Sequence, residues 1–585
     1  MSTTTIANGE TDRPTWWPNS SRSTTLYLIA AIAFGVLVLV PLLMLVKASF
    51  LVEAGGRVGY ALAGWREALA NPGVHSALAN TFGLMIAAQA ISIPLAILLS
   101  WLLGRTDLPA RHWLEFGFWV SFFLPSLAVV QGWVLMLDSK FGLLNEALRT
   151  VLPVADGPFN IYSWWGIVFA HLVTTTVSAK VMTMTPAFHG MDARLEEAAR
   201  MAGDSPLKTL VRIVVPILAP AILVTSIMGV IRALESFEIE LVLGLPSGIQ
   251  VYSTFIYNLV HKETADYTTA SALGILMILP MLALVAITRR LMRGDRFTTI
   301  SGQAKSELIA LGAWRWPAFA FVALVVVMLT LIPVAFLCVS SIMSVFGYFN
   351  LDQTWTLDHW KAVLQDPVFF ASARSTLVLA TATLVVATVF STFAAYAIVR
   401  GPARLRAVFD LLSWVPFTMP GVLFSFAILW SLVELGLMKT LYGSTAILVL
   451  VVTLGTLTLG VQLVRTNFMQ IGSELEQASW ISGASWLRTV LKILVPLSIR
   501  SLVVVAVMAF ISAARNISHL ALLVSSNNRP LAVLQLDYMM EGRYEEAAVI
   551  GIIVVAFTVG IALLARQMGF TVGPRARAKA AVVAP

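Results

Sequence analysis

The chain has 585 residues, of which 58% are apolar and only 12% are charged. Soluble globular proteins carry about a quarter charged residues, so this composition excludes an ordinary soluble protein and makes lipid the main solvent. A single cysteine, Cys338, excludes an intrachain disulfide, a thiolate metal cluster and a redox cysteine pair. The formal charge of +8 could suggest a nucleic-acid partner, but where the charges lie is more informative than their sum.

Twelve apolar stretches are long enough, or nearly long enough, to cross the hydrocarbon core, which takes about 20 residues per helix. We therefore predict an all-α, polytopic membrane protein. The first stretch is interpreted as an uncleaved span and not a signal peptide, because its apolar run is long and an acidic polar tail precedes it. The predicted spans are residues 24–46, 78–103, 116–137, 161–179, 213–231, 268–288, 316–343, 375–399, 411–433, 445–464, 496–514 and 547–565.

The loops between these spans alternate between two sides of the membrane. Lys and Arg are about twice as frequent on the side that holds both termini. Because positive residues concentrate on the cytoplasmic side, we predict that both termini are cytoplasmic. The net positive charge then reflects topology and anionic lipid headgroups, and nucleic acid is not an expected partner.

The two halves of the chain repeat each other. Near the start of each half the offset is 295 positions, and later it is 280, which fits an insertion around residues 142–160. Two tandem sets of six spans enter and leave on the same side, which predicts a parallel repeat about an axis along the membrane normal. The repeated residues include Trp65, Thr81, Arg105, Phe122 and Pro125 (as Trp360, Thr376, Arg400, Phe417 and Pro420), and Leu195, Glu196, Gly203 and Pro216 (as Leu475, Glu476, Gly483 and Pro496).

This repeat divides the chain into five predicted parts. They are a cytoplasmic N-terminal tail (1–23), a first six-span domain (24–295), a cytoplasmic linker (296–315), a second six-span domain (316–568) and a cytoplasmic C-terminal tail (569–585).

A cytoplasmic loop between the fourth and fifth spans of each half has the signals of two short helices joined by a sharp turn. In the first half, Asp192 is a predicted N-cap, Gly203 suits a left-handed C-terminal position, and Ser205 with Pro206 would begin the second helix. The second half has Ser473 and Glu476 at capping-box spacing, then Gly483 and Ser485. Small residues on the first helix would give a flat face suited to docking a partner.

These residues resemble the EAA loop of binding-protein-dependent ABC importer permeases. In the first copy Glu197-Ala198-Ala199 is followed by Gly203 and then by Ile213-x-Val215-Pro216. The second copy, Gln477-Ala478-Ser479 with Gly483 and Ile493-x-Val495-Pro496, differs in having Gln477 in place of the acid and Ser479 in place of the second alanine. The resemblance covers nearly the whole chain, and it implies a location in a bacterial inner membrane.

The resemblance implies that each loop forms a coupling helix seated on a cytoplasmic ATPase subunit. The implied contact residues are Glu197, Ala198, Ala199, Gly203, Gln477, Ala478, Ser479 and Gly483. The chain has no GxxxxGK[ST] phosphate loop, so ATP and Mg would be bound by the partner, and no cofactor is expected in this chain. A fused permease would pair with two ATPase copies and receive substrate from a periplasmic binding protein.

Charges at membrane depth are functional candidates because they are costly to bury there. Glu235 and Glu238 share a helical face after the fifth span, and Arg515 is the repeat equivalent of Glu235. These three residues are candidates for the translocation path, with residues at a span end in the headgroup layer as the alternative. The acids suggest passage of a cation. His171, within an apolar span, is interpreted as a helix-packing residue.

No catalytic constellation and no metal-ligand spacing is evident, so the chain is not expected to be an enzyme. The stretch from Glu235 to Thr254 most resembles ferric-iron permeases, which are close to polyamine, thiamine and aminophosphonate permeases. From a different class, a 12-span secondary transporter also has two parallel six-span halves, although Gly104-Arg105-Thr106-Asp107 matches its loop motif only loosely. A sensor or scaffold without transport is the third alternative.

Overall fold

A computed structural model describes residues 20–54, 57–151, 157–292, 308–349 and 351–567. Most of the predicted N-terminal tail and linker, and the whole predicted C-terminal tail, lie outside these residues.

Within the described residues, ten helices are long and apolar enough to cross a membrane, and two bent helix pairs bring the number to twelve if each pair is one span. All twelve predicted spans coincide with these elements in order, which confirms the polytopic helical fold. We number them one to twelve along the chain. They are Thr25–Ala48, Pro72–Arg105, Arg111–Phe123 with Ser126–Leu137, Trp164–His189, Pro206–Leu234, Tyr267–Leu291, Gly312–Ile342, Pro367–Arg400, Ala403–Thr418 with Gly421–Glu434, Thr445–Gln470, Trp486–Arg515 and Tyr544–Gln567.

Short elements connect the spans. Two strands, Leu51–Ala54 and Arg57–Tyr60, pair antiparallel as a hairpin after the first span. The short helices are Ala63–Ala70, Leu143–Val151, Ala193–Met201, Tyr252–His261, Asp358–Gln365, Met438–Leu441, Glu474–Ile481 and Leu531–Met540. Turns of π-helix occupy Leu172–Thr176, Leu210–Val214, Glu240–Gly244 and Val490–Leu494.

Spans three and nine are bent by 101° and 107°. Each bend lies at a proline of the repeat, Pro125 in the first half and Pro420 in the second. A proline disfavours helical backbone in the residue before it and has no N–H to donate. Leu124 and Met419 are accordingly extended, with ψ angles of 137° and 118°. The prolines therefore account for the place of each break.

Both segments of the bent third span pack against the seventh span. A Cβ atom at Gly117 would lie 2.2 Å from Val326 Cγ1, and one at Gly132 would lie 2.2 Å from the Pro333 carbonyl oxygen. Because Val326 and Pro333 lie on successive segments of the seventh span, the bent pair crosses alongside it. Glycine is required at both positions because no side chain would fit.

The first span makes the reciprocal contact with the ninth. The rings of Phe34 and Phe409 have centroids 6.2 Å apart, and Lys47 Nζ lies 2.5 Å from Glu434 Oε2 near the other end. Each half therefore packs its first span along the third span of the other half. This exchange joins the two repeats into one bundle.

The prediction of two separate short helices in each loop is wrong for the second helix. Ser205 caps a helix that continues as the fifth span, through the π-helical turn Leu210–Val214. In this turn the Val215 N–H donates to the Leu210 carbonyl, and Pro216, which follows, has no N–H to donate to Arg212. The same arrangement recurs at Val490–Leu494 before Pro496. Each loop thus has one free-standing helix.

Candidate functional site

The two free-standing loop helices, Ala193–Met201 and Glu474–Ile481, lie at the end of the bundle where spans two and eight finish. We call this end the loop side and the opposite end the far side. Gly203 and Gly483 end the helices with φ angles of +86° and +81°, as predicted. Glycine adopts this left-handed backbone without strain, and no atom lies within 4 Å of the position of an added Cβ.

The predicted caps are mostly confirmed. Asp192 Oδ1 accepts a hydrogen bond from the Arg194 N–H at 3.1 Å, and Ser205 Oγ accepts one from the Lys208 N–H at 3.4 Å. Ser485 repeats the cap of Ser205 in the second half. The capping box of Ser473 and Glu476 is wrong: Ser473 has helical backbone and makes no capping bond. Glu476 instead forms an ion pair, which is stronger than a bond to a neutral N–H.

A buried ion pair clamps the first loop helix to the second span. Arg105 Nε and Nη2 donate to Glu196 Oε2 at 2.9 and 2.5 Å, and Arg105 Nη1 donates to the Met191 carbonyl at 3.3 Å. Both side chains are fully buried. Glu196 Oε1 is buried without a hydrogen-bond partner. The clamp therefore carries one unsatisfied oxygen and depends on a single arginine.

The second loop helix has the same clamp with one more partner. Arg400 Nε donates to Glu476 Oε1 at 2.7 Å, and Arg400 Nη2 donates to the Ile471 carbonyl at 2.6 Å. The hydroxyl of Tyr396 donates to Glu476 Oε2 at 3.2 Å. Its repeat equivalent is Trp101, whose Nε1 is buried without a partner. Both oxygens of Glu476 are satisfied, whereas only one oxygen of Glu196 is.

Each loop presents large apolar side chains on its exposed surface at equivalent positions of the repeat. Met201 is 90% exposed and its equivalent Ile481 is 73% exposed. Two further equivalent pairs, Leu195 with Leu475 and Leu207 with Leu487, are also exposed. We call these six residues the loop patches. Exposed apolar residues that recur at three equivalent positions, next to the clamped helices, indicate two copies of one contact surface.

The residues that the resemblance assigned to ATPase contact differ in exposure. Ala198, Ala478, Gly203 and Gly483 are exposed, and Glu197 and Gln477 are half-buried. Ala199 is buried, and Ser479 Oγ lies 2.9 Å from Thr489 Oγ1 at the start of the eleventh span. Ala199 and Ser479 thus face the protein and position the helix.

The candidate path residues lie where the two halves meet. Ser518 Oγ donates to Glu238 Oε2 at 3.1 Å. These two positions are repeat equivalents, 280 residues apart, and equivalent residues can touch only close to the pseudo-two-fold axis. Arg515 Nη1 donates to the carbonyls of Phe122 and Leu124 at 2.8 and 3.0 Å, across the halves and at the bend of span three. The structure thus places Glu238 and Arg515 at the interface of the halves.

Two arginines face equivalent aromatic rings across this interface. Arg515 lies over the ring of Phe122 and Arg232 over the ring of Phe417, each 5.7 Å from the centroid. Arg232 Nη1 is 3.7 Å from Glu235 Oε2, and its side chain is 57% exposed while that of Glu235 is 14% exposed. The exposed surface here is therefore formed by cationic and aromatic side chains more than by acidic ones.

The first half contains polar groups that sequence reasoning did not assign to the site. His171 Nε2 lies 2.7 Å from Glu240 Oε1, and Ser236 Oγ donates to Glu240 Oε2 at 2.6 Å. At equivalent positions the second half has Val451 for His171 and Leu520 for Glu240. A comparison of the halves position by position could have revealed the pair. The ion pairs of Arg105 and Arg400 had a similar signal, since both partners recur in the repeat.

Comparison with known proteins agrees with this architecture. The model of the family described as "Binding-protein-dependent transport system inner membrane component" matches residues 92–294 and again residues 367–577. The chain belongs to this family. The twofold match bears out a fused permease of two repeated halves and places the chain outside the secondary transporters.

Among its relatives, a probable ABC transporter permease protein y4fN of Sinorhizobium fredii is 24% identical over 79% of this chain and 82% of its own length. The ferric transport system permease protein FbpB of Actinobacillus pleuropneumoniae is 24% identical over 78% of this chain and 66% of its own length. Shorter matches in Escherichia coli are the molybdenum permease ModB, 26% identical over 33% of this chain and 83% of its own length, and the spermidine/putrescine permease PotB, 24% identical over 42% and 90%. A solved bacterial ABC transporter for import of the acidic polysaccharide alginate is 20% identical, with a TM-score of 0.40, over 48% of this chain and 97% of the matched one.

Proposed function

We propose that this chain is the translocation subunit of an ATP-driven importer, which receives its cargo from a periplasmic binding protein and passes it by alternating access. The loop patches carry this proposal. Two equal apolar surfaces beside two clamped helices suit two copies of one partner, and an ABC ATPase dimer offers two equal sites. ATP and Mg would be bound by those subunits, so this chain has no catalytic residues of its own. The loop side is then cytoplasmic, as are both termini.

In each contact surface, the exposed members of the assigned set would touch the ATPase directly. Glu197, Ala198 and Gly203 serve the first surface, and Gln477, Ala478 and Gly483 serve the second. Ala199 and Ser479 would act by holding the helix in place. Since both clamps join the loop helices to spans two and eight, a movement of the ATPase is transmitted to the spans.

Introducing a negative charge at the loop patches tests the proposal. Met201→Asp and Ile481→Asp, which add a charge where the partner packs, are expected to abolish co-purification of the ATPase subunits and ATP-dependent uptake. Val151→Asp changes an equally exposed apolar residue in the helix Leu143–Val151 and serves as the control. Association and uptake that survive in both loop variants would overturn the proposal.

Gly203→Asp and Gly483→Asp test the same surface through the turn. The left-handed backbone disfavours a non-glycine residue by about 1 kcal/mol, which is too little to unfold the chain. We therefore expect loss of ATPase association with the membrane domain still folded, as measured by its thermal unfolding. Gly542→Asp, at another exposed left-handed glycine with φ of +80°, is the matched control.

For the cargo we propose ferric iron, with polyamine, thiamine and aminophosphonate as the alternatives within the same class of importer. The relative named as a ferric transport permease supports iron. Relatives named for molybdenum and for spermidine and putrescine are consistent with other cargoes. Uptake of radiolabelled iron, putrescine, thiamine and aminophosphonate, each measured in cells that express this chain with its ATPase and its binding protein, separates these cargoes. Glu235 and Glu238 are proposed path residues, and unchanged uptake in the variant Glu235→Gln/Glu238→Gln would remove them.

A further inference from the structure

A lysine that has no carboxylate partner among the described residues is buried in the fourth span. Lys180 is 2% exposed. Among the described residues its Nζ makes one hydrogen bond, to the Thr176 carbonyl at 3.4 Å, and no ion pair. The π-helical turn Leu172–Thr176 precedes it, with non-helical backbone at Thr174. An ammonium group at membrane depth is costly to bury, so an unpaired one points to a function.

The ammonium lies at mid-depth of the bundle. Lys180 Nζ and Gln89 Oε1 would both lie 3.0 Å from a Cβ atom at Gly229. Gln89 is in the middle of the 34-residue helix Pro72–Arg105, so lipid headgroups are about 15 Å away on either side. The Oε1 atom of Gln89 has no hydrogen-bond partner either. A lipid phosphate is therefore out of reach of this position.

Gly229 has no side chain beside Lys180, and a second cation follows it on the same helix. Arg232 is three residues further along the same helix, so it projects from nearly the same face, about one turn away. Its side chain is more than half exposed, and its guanidinium is 3.7 Å from Glu235, its only carboxylate partner among the described residues. Lys180, on the fourth span, thus packs against the fifth span at Gly229, and Arg232 projects from the fifth span about one turn further along, at the interface of the halves.

The fold itself does not require these cations. At the equivalent positions the second half has Gly460 for Lys180 and Ser512 for Arg232, and the same spans pack there. The nearby acids contact other groups: Glu238 accepts from Ser518, Glu240 contacts His171 and Ser236, and Glu235 lies 3.7 Å from Arg232. Among the described residues none of these acids pairs with Lys180, so its ammonium is available to a ligand.

We infer that Lys180 and Arg232, on either side of Gly229, form a binding site for an oxyanion group of the cargo, of the carboxylate, phosphonate or phosphate type. The inference rests on the proposed function and adds the chemical class of the cargo. A metal ion would pass this site as an anionic complex. Alternating access would open the site, because in this conformation even a Cβ atom at Gly229 would lie only 3.0 Å from Lys180 Nζ and from Gln89 Oε1.

The test measures binding of inorganic phosphate to the full chain in lipid nanodiscs, by equilibrium binding of labelled phosphate and by the shift in thermal midpoint. Wild type is expected to bind phosphate saturably, with a dissociation constant in the millimolar range. Binding should be the same in nanodiscs of phosphatidylcholine alone and in nanodiscs with added phosphatidylglycerol. Lys180→Met and Arg232→Gln should each weaken binding about tenfold or more, because each removes a charge-assisted bond. Gly229→Ala, whose methyl group meets Lys180 Nζ, should also weaken it. Lys361→Met removes an exposed lysine and is the control.

Stability without phosphate separates a ligand site from a structural lysine. Lys180→Met should unfold at the same temperature as wild type or above it, because methionine fills the space without a buried charge. A lower midpoint, no saturable binding to wild type, or equal binding by Lys180→Met overturns the inference. If phosphate binds but no ATPase associates, the proposed function fails and the anion site stands. If ATP-driven uptake holds without phosphate binding, only this inference fails.

Discussion

The two halves of this protein are nearly identical at the loop side and different at membrane depth. At the loop side, Arg105 and Glu196 in one half match Arg400 and Glu476 in the other, down to the carbonyl that each arginine also contacts. At depth, the first half has His171, Lys180 and Glu240 where the second has Val451, Gly460 and Leu520.

On the proposed function, this difference has a simple explanation. Two copies of one ATPase would need two equal docking surfaces, which the matching clamps and loop patches would supply. A small cargo at the interface of the halves would have no two-fold symmetry and would contact each half differently. The polar groups of the first half can therefore diverge without disturbing the spans that carry them.

The largest expected effect is on the clamp of the first loop. Arg105→Met leaves the carboxylate of Glu196 buried without a partner, which should lower the free energy of unfolding by about 3–5 kcal/mol. Arg400→Met should lower it less, because Glu476 keeps the bond from Tyr396 and the Arg400 side chain is 23% exposed, so water can enter. Unfolding in mixed micelles measures both. Equal losses would show that the two clamps contribute equally to stability. The double variant Arg105→Met/Glu196→Leu should recover part of the free energy of unfolding that Arg105→Met loses.

The next effect concerns the pair that only the first half has. His171→Leu leaves Glu240 with the hydroxyl of Ser236 as its remaining side-chain partner and should lower the free energy of unfolding by about 2–3 kcal/mol. In His171→Leu/Glu240→Leu, which copies the apolar character of Val451 and Leu520, most of this loss should be regained. A double variant as unstable as the single one would contradict the view that the pair is dispensable for folding.

A third prediction tests the part of the core where the halves agree. Thr81 Oγ1 accepts from the Tyr252 N–H, and Thr376 Oγ1 from the Leu531 N–H, both at 2.8 Å. Thr81→Val and Thr376→Val each leave a buried N–H unsatisfied, which should lower the free energy of unfolding by about 1–3 kcal/mol. The two losses should agree within about 0.5 kcal/mol, since the environments are equivalent. A larger gap, measured in the same micelles, would mean that the repeat is not symmetric here.

The smallest effect is the additional hydroxyl of the second clamp. Tyr396→Phe removes one hydrogen bond to Glu476 and should lower the free energy of unfolding by about 1 kcal/mol. In the Arg400→Met background the loss should grow, because Tyr396 is then the remaining side-chain donor. A double-mutant cycle gives this coupling. No coupling would mean that the two donors act on Glu476 independently.

Much of the fold could be predicted because its signals are local. Apolar stretches of the right length mark the spans, Pro125 and Pro420 mark the bends, and Gly203 and Gly483 mark the ends of the loop helices. The capping box at Ser473 could not be rejected from sequence. Its spacing satisfies the local rule, but Glu476 has a stronger partner in Arg400, 76 residues earlier in the chain.

The sequence by itself determined that this is a membrane protein of two repeated six-span halves, because hydropathy and fixed offsets along the chain carry that information. Only the tertiary structure decided which charges are satisfied. Arg105 finds Glu196 across 91 residues, Glu238 meets its own repeat equivalent Ser518 at the axis, and Lys180 finds no carboxylate within the part of the chain that the structure describes. Whether a buried charge has a partner depends on which spans pack together, and a local pattern of residues does not contain that contact.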